Sequence, residues 1–296
     1  MKPYKNRSHK PWAPLVKHDL ALGFANNRAK YVVALLCFIA LCSFYLTASE
    51  EMMQLSKAGM GPSWNSDNFS LFDVLIYAAF GMGKYTPSPD NPFMLPIRWL
   101  TMQVLVAVIV GYYPVDDLAG YAPQVFVRMR GIWSWWLSKC SWIVSSVVAF
   151  YLLGLVVFAC FAFAFGSPFA PSASDSPSAL VNGLSVINIS PSMFIAALLI
   201  APTLSIALSL AQVALSLLIG PFMSFMALMT FYALSIYFST PLLIGDYSMI
   251  ARIDLVMPGG ISVEAALAIC IIVAITATAA GGFILNRRDL LAKTGS

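Results

Sequence analysis

The sequence predicts an all-α integral membrane protein with six transmembrane helices, and three observations carry that prediction. Long apolar runs at residues 31–48, about 98–113, 141–166, 193–219, 222–243 and 262–285 approach or exceed the roughly 20 residues that cross a bilayer core. Hydrophobic residues make up 59% of the chain and charged residues 10%, a balance that a water-soluble surface does not tolerate. The runs are continuous rather than alternating, which favours helices over a barrel because open sheet edges cannot face lipid. No stretch is long and polar enough to form a separate soluble catalytic domain, so residues 1–296 read as one transmembrane domain.

The position of the charges sets the expected orientation. Lys2, Lys5, Arg7, Lys10, Lys17, Arg28 and Lys30 all precede the first run, which places the N-terminus in the cytoplasm. An even number of spans returns Arg287, Arg288 and Lys293 to that side, together with Arg128, Arg130 and Lys139 in the second connection. The outer connections hold only Lys57, Lys84, Arg98 and Arg252. The expected location is the cell (plasma) membrane, multi-pass, with both termini cytoplasmic. The first run lacks a small-residue cleavage site and begins about thirty residues in, so it reads as a retained anchor rather than a signal peptide.

Within the interfacial segment 1–30, Val16, Leu20 and Phe24 recur every four residues, with His18, Asp19, Asn26 and Lys30 largely opposite. That pattern predicts a short amphipathic helix on the cytoplasmic interface. Pro11 and Pro14 disfavour helix over residues 1–14, where a basic tail held near anionic lipid is an equal reading. The first outer connection, about 49–97, is turn-rich, but residues 71–83 are apolar and too short to span, which predicts an element that dips into the interface or covers the bundle. Asp73 within it reads as a capping or solvated acid at the membrane edge. The connection at 167–192 is rich in Ser, Pro and Ala and carries no Lys or Arg, as expected of an outer loop. Pro241 and Gly245 break an apolar stretch and predict an outer re-entrant region over 241–261.

Few residues offer chemistry. The two histidines, His9 and His18, both lie before the first run, which argues against an intramembrane metallopeptidase or a Ser–His arrangement in the bilayer. Glu50 and Glu51 read as solvated end charges, and Glu264 as a capping acid rather than a proton relay. No GxxxxGK[ST] motif is present. Cys37, Cys42, Cys140, Cys160 and Cys270 lie in or beside spans without paired spacing and read as small apolar fillers, with no metal site. In the fourth span Ser205, Ser209, Gln212 and Ser216 share one face, which can line a translocation path or hydrogen-bond neighbouring helices. In the sixth, Ala266, Cys270, Ala274, Thr278 and Gly282 recur every four residues and make a small-residue packing ridge. Met223, Met226 and Met229 read as ordinary core or lipid-facing residues.

The second connection, 114–140, is longer than a tight turn requires. It begins Tyr113-Pro114-Val115-Asp116-Asp117-Leu118, continues through Gln124-Val125-Phe126-Val127-Arg128, and ends Trp135-Trp136-Leu137-Ser138-Lys139. Clustered Trp and cationic residues mark a membrane boundary. With its basic interfacial N-terminus, six spans and re-entrant region, the chain resembles the permease subunits of ABC transporters of the ABC-2 type. Related bacterial permeases carry a similar "YP..DL … iliRs..R..WW..K" run between spans two and three. The resemblance implies that 114–140 contains the coupling helix, with Gln124, Arg128, Arg130, Trp135, Trp136 and Lys139 serving coupling to a separate ATPase. It further implies a homodimer or heterodimer with a second permease, ATP-Mg in the partner ATPase and no cofactor in this chain. The lipid bilayer is the only other partner expected, and nucleic acid is not one. The function implied is an ATP-driven exporter of an amphipathic peptide, lipid or drug, without enzymatic activity of its own. A non-transporting membrane anchor and an ATP-independent secondary carrier are the alternatives.

Overall fold

In hydrocarbon an unpaired backbone N–H or C=O costs several kcal/mol, so each apolar run closes its hydrogen bonds within itself. The computed structural model describes residues 12–58, 71–89, 92–120, 132–165, 191–240 and 242–287. Its helices are α1 (Trp12–Asn26), α2 (Arg28–Lys57), α3 (Leu71–Ala79), α4 (Ile97–Gly111), α5 (Tyr113–Gly120), α6 (Ile132–Phe165), α7 (Pro191–Ile219), α8 (Pro221–Tyr237) and α9 (Val263–Arg287). Two 3-10 turns, Ile244–Asp246 and Ile250–Arg252, precede α9. The described residues form no strand beyond an isolated bridge between Ile253 and Ile261.

Five helical stretches are long and apolar enough to cross a bilayer: Arg28–Glu51, Ile97–Leu118, Ile132–Phe165, Ser192–Ile219 and Val263–Arg287. This is a membrane protein by that measure. The remaining expected span, 222–243, is the shorter α8, whose 17 residues reach about 26 Å at 1.5 Å per residue. Gly220, at φ +86°, makes the tight turn from α7, and Pro221 starts α8 where a missing N–H costs nothing. At its other end Phe238 turns extended, φ −101° and ψ 104°, so residues 238–243 join the turn-rich cap instead of lengthening the helix.

Helix α7 is the hub. It packs most extensively on α9 and also contacts α3, α4, α5, α6 and α8. One buried cluster, built on Phe38, Val106, Trp142, Phe150 and Val213, joins α2, α4, α6 and the second half of α7. A second, built on Trp99, Leu204, Tyr232, Met249 and Cys270, joins α4 and the first halves of α7 and α9 to α3, α8 and the 3-10 turns. The faces left over are apolar: Val32, Leu36 and Phe44 on α2, Leu152, Val156 and Phe163 on α6, Ile271, Ile272 and Ile275 on α9. Such faces suit lipid.

The structure departs from the sequence reading in three places. First, α1 begins at Trp12 and accommodates Pro14 in its first turn, where proline lacks an N–H that the helix would leave unpaired anyway. Its inward face is Asp19, Gly23 and Asn27, with Val16, Leu20 and Phe24 only half-buried. Gly23 lies against the Trp142 ring of α6, a contact that no side chain at 23 would permit. Second, Asp73 is fully buried in the first turn of α3, not solvated, because α3 packs into the bundle against α6 and α7. That turn carries the positive end of the helix dipole, which favours a carboxylate. Third, α6 starts at Ile132, nine residues before the expected span edge at 141, so Trp133 through Lys139 form its first turns rather than a separate connection.

Close approach of α6 to α9 depends on glycine. Trp136 lies over Gly281 and Trp133 over Gly282. Gly281→Leu is expected to force the helices apart and lower stability by about 1–3 kcal/mol. Ala279→Leu, at an exposed position of the same helix, serves as control. Thermal unfolding in detergent checks this, and equal midpoints for both variants would contradict the packing.

Candidate functional site

Around Lys139 three elements meet through buried charge. The Lys139 ammonium, on α6, lies 2.7 Å from Asp19 Oδ1 on α1 and 2.7 Å from Asp117 Oδ2 on α5, with all three side chains almost fully buried. Neutral donors complete the carboxylates. Ser138 Oγ donates to Asp19 Oδ2 at 2.6 Å, the Tyr113 hydroxyl donates to Asp19 Oδ1 at 3.1 Å, and Trp135 Nε1 donates to Asp117 Oδ2 at 2.9 Å. The ammonium also stands 4.6 Å from the Tyr113 ring centre and 5.2 Å from that of Trp135, within cation–π range. Two carboxylates and one ammonium leave one formal negative charge, which those three neutral donors help disperse. His18 Nδ1, half-exposed, lies 3.8 Å from Asp19 Oδ1.

The cluster fixes the interfacial helix, the turn after α4 and the start of α6 relative to one another. Lys30, just beyond α1, reinforces it by donating to the Val108 carbonyl at the end of α4 at 2.9 Å. Trp136 is buried and donates Nε1 to the Thr278 carbonyl of α9 at 2.7 Å, so the last span joins the same joint. Trp135, Trp136 and Lys139 are therefore spent on holding the chain together and present no free docking surface. Trp133, 46% exposed, is the tryptophan of this group that reaches outward. Gln124, Arg128 and Arg130 lie outside the described residues.

The polar stripe of α7 faces the bundle interior. Ser205, Ser209, Gln212 and Ser216 are all buried. Ser205 Oγ donates to Gln103 Oε1 at 3.0 Å and lies 2.8 Å from the Tyr151 hydroxyl, while the Tyr232 hydroxyl donates to Gln103 Oε1 at 3.1 Å. One amide thus ties α4, α6, α7 and α8 at membrane depth. Ser216 bonds within its own helix, to the Val213 carbonyl at 2.6 Å. Gln212 borders a cavity of about 430 Å³, largely apolar, between α7, α8 and α9. Its side chain also covers Gly111 of α4. Of the two readings of this stripe, interhelical bonding describes Ser205.

The small-residue ridge is also turned inward. Ala266 and Cys270 are fully buried in the second core cluster, Gly282 lies under Trp133, and Ala274 and Thr278 are partly buried between them. It makes the contact of α9 with α7 and α6 inside one chain, not a surface for a second copy. All five cysteines are free, and the described residues hold no cluster of three potential metal ligands.

Sequence reasoning missed Asp19 and Gln103. Asp19 looked like one member of a solvated face, and its partner Lys139 is 120 positions away, a pairing that no local spacing encodes. A signal was present in principle: an acid within an otherwise basic interfacial segment, and a lysine one turn after a Trp pair. Lys139→Met leaves two buried carboxylates without their counter-charge and is expected to cost about 3–5 kcal/mol. The triple variant Asp19→Asn, Asp117→Asn, Lys139→Met should recover most of that loss. Thermal unfolding of the two variants checks it, and wild-type stability in Lys139→Met would contradict a joint of this strength.

The chain matches no family model, no curated protein and no solved structure, so these contacts stand on their own chemistry.

Proposed function

We propose that this chain is the permease subunit of an ATP-driven exporter of the ABC-2 type, coupled to a separate ATPase that holds ATP-Mg. The observation that supports this reading best is the buried joint of Asp19, Asp117 and Lys139. Asp117 lies three residues before the end of α5 and Lys139 seven residues after the start of α6, the two helices that bracket residues 121–131 in the sequence. A partner that displaces this segment moves α5, α6 and α1 as one body, because separating them means separating charges in a low-dielectric setting. Coupling of a soluble motor to membrane helices needs such a stiff connection.

In this reading the α1 end of the bundle, with Lys17, Arg28, Lys30 and Arg287, faces the cytoplasm, and α8 crosses as a short sixth span. Two copies, or this chain and a related one, enclose the path between them. Pairing uses faces other than the α9 ridge, which α7 and α6 already occupy. The substrate is amphipathic, a peptide, lipid or drug, because the network between the two charged ends, Gln103, Tyr151, Ser205 and Tyr232, offers neutral hydroxyls and an amide.

A non-transporting membrane anchor is the second reading. The sealed network of Gln103, Ser205, Tyr151 and Tyr232 favours it, since that network closes the interior of a single chain.

The test is purification of the full chain from its native membrane. The exporter reading expects a stoichiometric P-loop ATPase, which Arg128→Ala with Arg130→Ala releases without altering the thermal midpoint of the membrane chain. Trp136→Ala should instead lower that midpoint. Recovery of the chain without any ATPase supports the anchor.

A further inference from the structure

At the end of α4 away from the Lys139 joint, Trp99 Nε1 donates to Ser248 Oγ at 2.9 Å and anchors the cap formed by residues 242–261. Inside this cap Arg252 is buried, 4% exposed. Its Nε donates to the Met82 carbonyl at 2.9 Å. Nη1 donates to the Ser235 carbonyl at 2.7 Å and to Asp246 Oδ2 at 2.9 Å. Nη2 donates to the Ile236 carbonyl at 2.7 Å and the Gly83 carbonyl at 3.3 Å. A guanidinium has five N–H groups, and all are committed. Two of the acceptors are among the last carbonyls of α8, where a helix leaves them unpaired and its dipole favours a cation.

Beside this clamp lies a cavity of about 490 Å³, lined by Ser239, Asp246, Tyr247, Arg252, Gly259 and Ser262 among others. Two of its lining residues carry buried oxygens with no hydrogen-bond partner among the described residues: Asp246 Oδ1 and Ser239 Oγ. Asp246 is itself 6% exposed. Leaving a buried acceptor unpaired is costly, more so for a carboxylate. The clamp has no N–H to spare for it, so a group that brings its own donors and positive charge suits this lining, which carries both Asp246 and Ser239, better than an anion does.

We propose that this cavity binds a primary ammonium group, held by Asp246 Oδ1 and Ser239 Oγ. An ammonium supplies three donors on one centre and a charge opposite to that of the carboxylate. Lipid headgroups with a primary amine and soluble amines such as a peptide N-terminus share this chemistry. The proposal does not depend on the transport reading, because it concerns binding by the chain alone.

Protonation gives a second signature. Burial pushes the Asp246 carboxyl up to about 6, against the opposing pull of Arg252. Its other titratable neighbour, Tyr247, is pushed upward and stays neutral. Asp246 is therefore ionised at pH 7.5 and largely protonated at pH 5, so ammonium binding weakens as pH falls through 6.

The test uses the purified full chain in phosphatidylcholine nanodiscs. One arm adds phosphatidylethanolamine and counts retained lipid by native mass spectrometry. The other titrates trialanine against N-acetyl-trialanine by thermal shift. Binding in either arm that exceeds its amine-free control, and falls at least about fivefold at pH 5 and in Asp246→Asn, supports the site and identifies the source. The Asp246→Asn amide still accepts from Arg252, and Ser239→Ala removes the second acceptor without touching the clamp; it should weaken the same binding in a chain of wild-type stability. Equal binding of amine and control, no binding in either arm, or binding indifferent to both substitutions would overturn the proposal.

Discussion

A lysine shared between two buried carboxylates is the constraint on which the basic end of this bundle rests. Lys139, Asp19 and Asp117 come from three different helices. Taking such charges from water is expensive, and the cost is recovered only if each finds its partners. Here each does, and the neutral donors Ser138, Tyr113 and Trp135 take up lone pairs that the ammonium leaves open. The arrangement tolerates little displacement, because removing Lys139 leaves two uncompensated carboxylates in a poorly hydrated site. The glycine contacts follow from it: with α1 held on α6, Gly23 must admit Trp142, and with α6 held at its start, Gly281 must admit Trp136.

The opposite end solves the same problem with different material. Arg252 meets one carboxylate and four backbone carbonyls, and so closes the frayed end of α8 together with the segment at Met82 and Gly83. Between the ends, polarity is neutral: Gln103 collects hydroxyls from α7 and α8 without a formal charge. Charge at the two boundaries and uncharged hydrogen bonding at mid-depth match what hydrocarbon permits. Lys139 and Arg252 thus stiffen opposite ends of one bundle, and the Arg252 end leaves an open acceptor beside a cavity.

The helical membrane character was legible in the sequence because apolar length and one-sided charge are local properties. The break at Pro241 and Gly245 predicts an outer re-entrant region over 241–261; the structure ends α8 at Tyr237 and places two 3-10 turns before the last helix. Other features resisted reading. The four-residue recurrence of Val16, Leu20 and Phe24 suggested the wrong buried face of α1, because hydrophobicity alone could not anticipate that Asp19 finds a lysine and Gly23 a tryptophan ring. The α7 stripe and the α9 ridge were legible as faces but not as to what covers them; burial assigns both to the interior of one chain. Asp73 looked like a surface acid for the same reason, since nothing local to residues 71–79 reveals that α3 folds inward.

Backbone hydrogen exchange across α1, compared between the wild-type chain and Lys139→Met in nanodiscs, tests the central claim most directly. If the buried joint holds α1, residues 12–26 are protected in the wild type and lose that protection in the variant, while α7 keeps its own. Free exchange of α1 in the wild type, or unchanged protection in Lys139→Met, would contradict it.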